Sequence, residues 1–488
     1  MRNLFVKKIL ETKKTGCGER TSNREGRKMK QTIFKTLVLL TACLVSGAAW
    51  GADSCATCTV GGVPSFSTSG SGADVPYTAT TDSGVAGVPC TSCESIGDPC
   101  GTQCRRGANW NNLLCGVQYN GYMNAGGMFN TRGAKYNVNH AGSDNEVGFD
   151  GAYLSVFKKA QTGCGCTDWG FGMDTMFGRD ARFFSSYTGW DSEWETGKRS
   201  SNFNNWQTLT DAERESYGFA MPQMYGEVSF NNTVVKMGRF YTLMGYEGAR
   251  ADQRFFYGFG RNFEVTPITH TGAIASWKGI ENMDIDMGWV AGENNMFERE
   301  YDESLVTGRV RLNGDYMTLG YAFVAGDGAV NGVAGDLFRN NIVWTAKLGC
   351  RWETALIYNY GSFDSETACA GGNITGNICD IMKYAGTDNV KYQTWAGYTY
   401  YTLNDCWKLG GRLEWQQGST WTPGIDNVGT DYDVETWNMG LGAHWTPCGD
   451  NFTFRPEIRY DKASAQIFGL NHGHDEQISL AFDVLYKF

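Results

Sequence analysis

From Cys115 to its end the chain returns repeatedly to segments of about ten residues in which apolar and polar side chains alternate. Met283, Ile285, Met287 and Trp289 stand against Asp284, Asp286 and Gly288, and Trp437, Met439, Leu441, Ala443 and Trp445 against Asn438, Gly440, Gly442 and His444. In the last segment Ile478, Leu480, Phe482, Val484, Tyr486 and Phe488 oppose Gln477, Ser479, Ala481, Asp483 and Lys487, with only Leu485 out of phase. A period of two is that of a β-strand with one apolar and one wet face. Trp or Tyr stands near the ends of several apolar faces, where a bilayer interface would place a girdle. The pattern predicts sixteen strands, near 113–124, 149–158, 167–177, 222–231, 233–241, 267–277, 283–292, 305–313, 315–325, 339–349, 351–360, 390–401, 406–418, 432–445, 451–461 and 476–488.

The connections carry a second signal. Those after odd-numbered strands, 125–148, 178–221, 242–266, 293–304, 326–338, 361–389, 419–431 and 462–475, read as long, whereas Asn231-Asn232, Asn313-Gly314 and Gly349-Cys350 read as tight turns. An even strand count with alternating long and short connections is the arrangement of a closed antiparallel barrel spanning a membrane, short turns and both chain ends on the periplasmic side. The expected fold is therefore all-β, a transmembrane barrel over 113–488.

Composition changes this picture little. A mean hydropathy of -0.37 is expected when only half of each strand is apolar. Beyond residue 52 no apolar run reaches the roughly 20 residues a spanning helix needs. The net charge of -10, without a long basic stripe, argues against nucleic acid as a partner. Residues 1–52 read as an extended N-terminus with a signal peptide: Thr36 to Val45 is a short apolar core, cleavage is expected near Gly51 or Ala52, and Met29 offers a second start. Leu40-Thr41-Ala42-Cys43 also fits a lipoprotein box. Residues 53–112 form a Cys-rich segment expected in the periplasm. Cys55, Cys58, Cys90 and Cys93 there, and Cys369 and Cys379 in the sixth long connection, are the disulfide candidates, with a four-thiolate zinc site as the alternative for the two C-x-x-C pairs. Cys115, Cys164, Cys166, Cys350, Cys406 and Cys448 are expected on one rim.

The polar partners of the alternation place Asp284, Asp286, Arg309, Arg311, Lys347, Lys408, Arg412, Glu414, Arg455, Glu457 and Arg459 on the inner wall. So many charges in a dry core would cost several kcal/mol each, about what relaxation leaves of the penalty, so the interior is expected to be wet. The third long connection carries Glu247, Arg250, Asp252, Arg254, Arg261 and Glu264 among aromatics. Folded inward, it would set opposite charges across a constriction.

The stretch 217–260, followed by PITHTGAIASW at 267–277 and GWVAG at 288–292, resembles the OmpL-like β-barrel porins of Gram-negative bacteria, of the planctomycete type in particular. The features shared are a Pro-Gln-x-Tyr strand, a Lys-x-Gly-x-Phe strand, an aromatic loop and a Thr-His-Thr-Gly strand. The resemblance implies passive diffusion of small hydrophilic solutes and ions through an outer-membrane channel, with no cofactor and no catalytic residue. A terminal strand ending at Tyr486 and Phe488 resembles the signal read by the barrel assembly machinery. Expected partners are that machinery, outer-membrane lipids, small hydrophilic solutes and further copies in a homotrimer. The alternative is a structural or adhesive surface protein for which the barrel is only an anchor. No G-x-S-x-G or H-E-x-x-H supports an enzyme.

Overall fold

Where one side of a strand can stay apolar and the other polar, alternation becomes a wall. The computed structural model describes residues 86–87, 116–132, 146–162, 167–184, 186, 218–297, 303–330, 333–365, 389–419, 433–447, 451–468 and 473–488. The wall is built from β1 (Gln118–Asn130), β2 (Val147–Lys158), β3 (Asp168–Gly178), β4 (Gly218–Phe230), β5 (Thr233–Tyr241), β6 (Thr269–Ile280), β7 (Met283–Val290) and β8 (Ser304–Asn313). It continues through β9 (Met317–Val330), β10 (Val333–Leu348), β11 (Trp352–Ser365), β12 (Asn389–Asn404), β13 (Trp407–Ser419), β14 (Asp433–Trp445), β15 (Phe452–Ala463) and β16 (Glu476–Lys487). Each pairs antiparallel with its neighbour in sequence, and β16 pairs with β1 from Ser479↔Asn130 to Lys487↔Tyr122, so the sixteen strands close. Gly121 N donates to Phe488 O at 2.9 Å and Phe488 N to Gly121 O at 3.0 Å, which finishes the seam. A two-residue strand, Ala86–Gly87, adds to the start of β1.

The outer face is apolar, with Leu441 at 65% and Leu480 at 55% exposure in the isolated chain, where lipid would cover them. Aromatic pairs lie toward both ends: Trp407–Trp445 and Trp352–Tyr401 near the short turns, Trp415–Trp437 and Tyr358–Trp395 farther up. Among the short turns, Asn231 (φ 51°), Asn282 (φ 62°) and Gly349 (φ 71°) take the left-handed conformation that Asn and Gly tolerate best. Pro456 stays within β15 opposite Phe482.

Two expectations are corrected. The first strand runs over Gln118–Asn130 rather than 113–124, because its partner β16 fixes the register while its Asn- and Gly-rich sequence alternates weakly. The fifth connection is not long: β9 and β10 remain paired up to Val330↔Val333, leaving only 331–332 between them. Its ladder of Gly326, Asp327, Gly328, Gly335 and Asp336 has no apolar stripe to read, since such rungs need backbone partners and no lipid face.

Cys350 and Cys406 are exposed in the β10–β11 and β12–β13 turns, on one rim as expected. The signal peptide, the lipoprotein box, Cys55, Cys58, Cys90, Cys93, Cys369 and Cys379 lie outside the described residues, as do Cys115, Cys164, Cys166 and Cys448.

Candidate functional site

The connection between β5 and β6 is too apolar to remain at a surface. Leu243, Met244, Phe255, Phe256, Tyr257, Phe259 and Val265 are all buried. Leu243 and Met244 pack with Phe240, Ile274, Val290, Leu305 and Leu337, whereas Tyr246, Phe255 and Phe256 pack with Ile357, Ala396, Tyr398 and Tyr400. Phe259 joins Tyr122 and Tyr153. These partners come from strands all round the wall, so the segment crosses the barrel interior. It carries a 3₁₀ turn at Ala251–Gln253 and one helical turn, α1, at Arg261–Glu264.

Charge and backbone hydrogen bonds hold it there. Arg412 on β13 pairs with Glu247 at 3.0 Å and Glu457 at 3.1 Å and donates to Gly258 O at 2.9 Å. Glu414 accepts from the backbone N–H groups of Arg261 (2.9 Å) and Asn262 (3.1 Å), satisfying donors that begin α1. Arg455 pairs with Asp483 and donates to the carbonyls of Ala251 (2.6 Å) and Arg254 (2.8 Å). Arg459 pairs with Asp461 and donates to Phe259 O at 2.7 Å. On strands to either flank, β1, β2 and β10, Tyr257 donates to Asp150, Arg250 to Asn120, and Arg339 to Val265 O. His444 and Phe255 stack at 3.9 Å, with the imidazole Nε2 2.6 Å from Phe255 O.

All six loop residues singled out in the sequence come together inside the barrel, each in an ion pair. Arg250 pairs with Asp252 (2.8 Å), Arg261 with Glu264 (3.0 Å), Arg254 with Asp180 (3.3 Å) and Glu247 with Arg412. Burial raises the carboxyls of Glu247 and Glu264 above the ordinary glutamate range, and their arginine partners only partly offset it.

The wall residues divide into two sets. Arg412, Glu414, Arg455, Glu457 and Arg459 are buried, which corrects the expectation that they stand in open water: loop carbonyls, amides and counter-charges replace the solvent. Asp284–Arg311 (2.6 Å), Asp286–Arg309 (2.7 Å) and Glu353–Lys408 (3.0 Å) form rungs toward the short turns, away from the loop's anchors. Lys347 shares the inward row of Arg339, Asn341 and Thr345 but ends it exposed. Sequence reasoning missed Asp150, Asp180, Glu293, Arg339 and Arg239. Arg239 is fully buried and donates to the carbonyls of Met221 (3.0 Å) and Phe184 (2.9 Å).

The barrel has counterparts among known proteins. Residues 116–488 match the family described as "Putative beta-barrel porin-2, OmpL-like". The chain belongs to this family. The porin is thus an outer-membrane β-barrel of the channel-forming type. Solved structures similar to it include the anion-selective porin from Comamonas acidovorans, at 12% identity and TM-score 0.47, with 76% of this chain and 99% of that one covered. The outer membrane channel DcaP of Acinetobacter baumannii is similar at 8% identity and TM-score 0.47, covering 76% and 97%. OmpT of Vibrio cholerae, in its trimer form, is similar at 11% identity and TM-score 0.43, covering 76% and 99%. No curated protein matches the chain.

Proposed function

We propose that the porin passes small hydrophilic solutes and ions by diffusion, with the segment 242–266 narrowing the lumen. One observation carries this reading: a loop rich in aromatic and charged residues lies across the interior, its carbonyls held by Arg412, Arg455 and Arg459 of the opposite wall. A loop clamped this way acts as a fixed size filter, and the paired charges Glu247, Arg250, Asp252, Arg254, Arg261 and Glu264 stiffen it. The short turns and both chain ends face the periplasm in this reading, since β1 begins and β16 ends at the same rim.

Planar-bilayer conductance with a sugar size series tests the proposal. Replacing 246–259 by a short Gly-Ser link should raise single-channel conductance and admit larger sugars. An intact porin that conducts while the shortened variant keeps the same conductance and size limit would remove the loop from the role. Liposomes tight to every sugar would favour the anchor alternative. Association of three copies is part of the same proposal and is read by crosslinking in mild detergent; a conducting monomer would reject that part alone.

A further inference from the structure

The inner face is covered unevenly. On β1–β3 and β12–β16, inward side chains such as Tyr122, Ser155, Asp174, Tyr398 and Arg455 are buried. On the arc from β6 to β11, toward the short turns, the inner positions open in part: Lys278 and Lys347 are exposed and Ser276, Arg311, Thr318 and Glu353 are half-buried, beside the buried Asp284, Asp286, Arg309 and Thr345. Water that reaches the lumen from the short-turn side meets this arc.

Its charges do not cancel. Asp284 accepts from Arg311 at 2.6 Å and Asn313 at 2.9 Å, and Lys278, in the irregular pairing between Trp277 and Ile280, lies across β6–β7 from it. Glu353 pairs with Lys408 at 3.0 Å and stands opposite Lys347 in the β10–β11 register. Counting Lys408, which reaches this arc from β13, two carboxylates therefore serve four cations. The remaining charges balance: Arg309 pairs with Asp286, and Lys236 faces Glu227 across β4–β5. No described carboxylate lies within ion-pair distance of Lys278 or Lys347. The turns below carry Glu281, Asp315 and Asp405 against Arg351, all exposed. Bulk water screens those turn charges, whereas a concave wall with low-dielectric sides focuses the field of its own.

Resting on the channel reading above, we propose that the short-turn mouth of the lumen favours small hydrophilic anions, carboxylates and phosphates among them, and that Lys278 and Lys347 set this preference. Both are exposed, so replacing them leaves the fold intact. Reversal potentials in a tenfold KCl gradient are compared for the porin and for K278Q/K347Q. The porin passes chloride over potassium. The double variant lowers the chloride-to-potassium ratio roughly threefold near 0.1 M salt, and the difference shrinks at 1 M as the Debye length falls to about 3 Å. A conducting variant with an unchanged ratio, or a porin that prefers potassium, overturns the assignment while leaving the channel reading intact. A porin that conducts nothing overturns both.

Discussion

Arg412 joins wall to loop more fully than any other residue described, facing Glu247, Glu457 and Glu414 and reaching Gly258 O. Removing it leaves three buried carboxylates without their cation, a loss on the order of 3–5 kcal/mol for a buried pair. Arg412→Leu should therefore free the loop while the wall persists, read as new protease cleavage within 242–266 in a barrel that still resists heat on an unboiled gel. Protonation acts on the same contacts. Burial holds Glu247, Glu264 and Glu293 above the ordinary glutamate value of 4.5, so in the folded porin they take up protons at a higher pH than exposed glutamates do. Because the folded state binds these protons more readily than the unfolded chain, they add stability as pH falls through that window and withdraw it as pH rises. The loop also loses negative charge there, and anion preference should grow on acidification before exposed acids titrate. Reversal potentials measured against pH check this, with E247Q/E264Q expected to flatten the step. The residue types of this site were legible in the sequence, but their pairing was not: Arg254 meets Asp180 and Arg412 meets Glu247 across 74 and 165 positions, and no local pattern encodes such separations.

At the level of elements, alternation located the strands because half of each must match lipid. The same rule explains what it missed. β9 and β10 run to 14 and 16 residues, beyond the roughly 9–11 a tilted membrane strand needs, and their upper rungs need no apolar stripe. That hairpin tip stands clear of the loop's anchors. Shortening it by joining Gly326 to Leu337 through a two-residue turn should leave insertion and conductance unchanged; a fall in conductance would tie the tip to the pore. The inward course of loop 242–266 is legible in its aromatics and charges, yet the wall residues that clamp it give no advance sign. Arg455 and Arg459 look in sequence like ordinary lumen charges, and only the folded wall brings them to loop carbonyls.

The whole molecule depends on its last strand. Phe488 both completes the backbone pair with Gly121 and lies over that glycine: a Cβ at position 121 would come within 2.6 Å of the Phe488 ring and 2.3 Å of Tyr153 O. An open edge cannot persist in lipid, where unpaired backbone groups find no water. Deleting Phe488, or replacing Gly121 by Val, should lower the yield of heat-resistant barrel, and normal yields from both would deny the seam this importance. The clamp on the loop has a consequence for order in time. Three of its anchors, Arg412, Arg455 and Arg459, belong to the last four strands, the group that also shuts the wall against β1. A nascent barrel therefore gains these anchors only with the strands that also close it, so the filter and the wall are completed together.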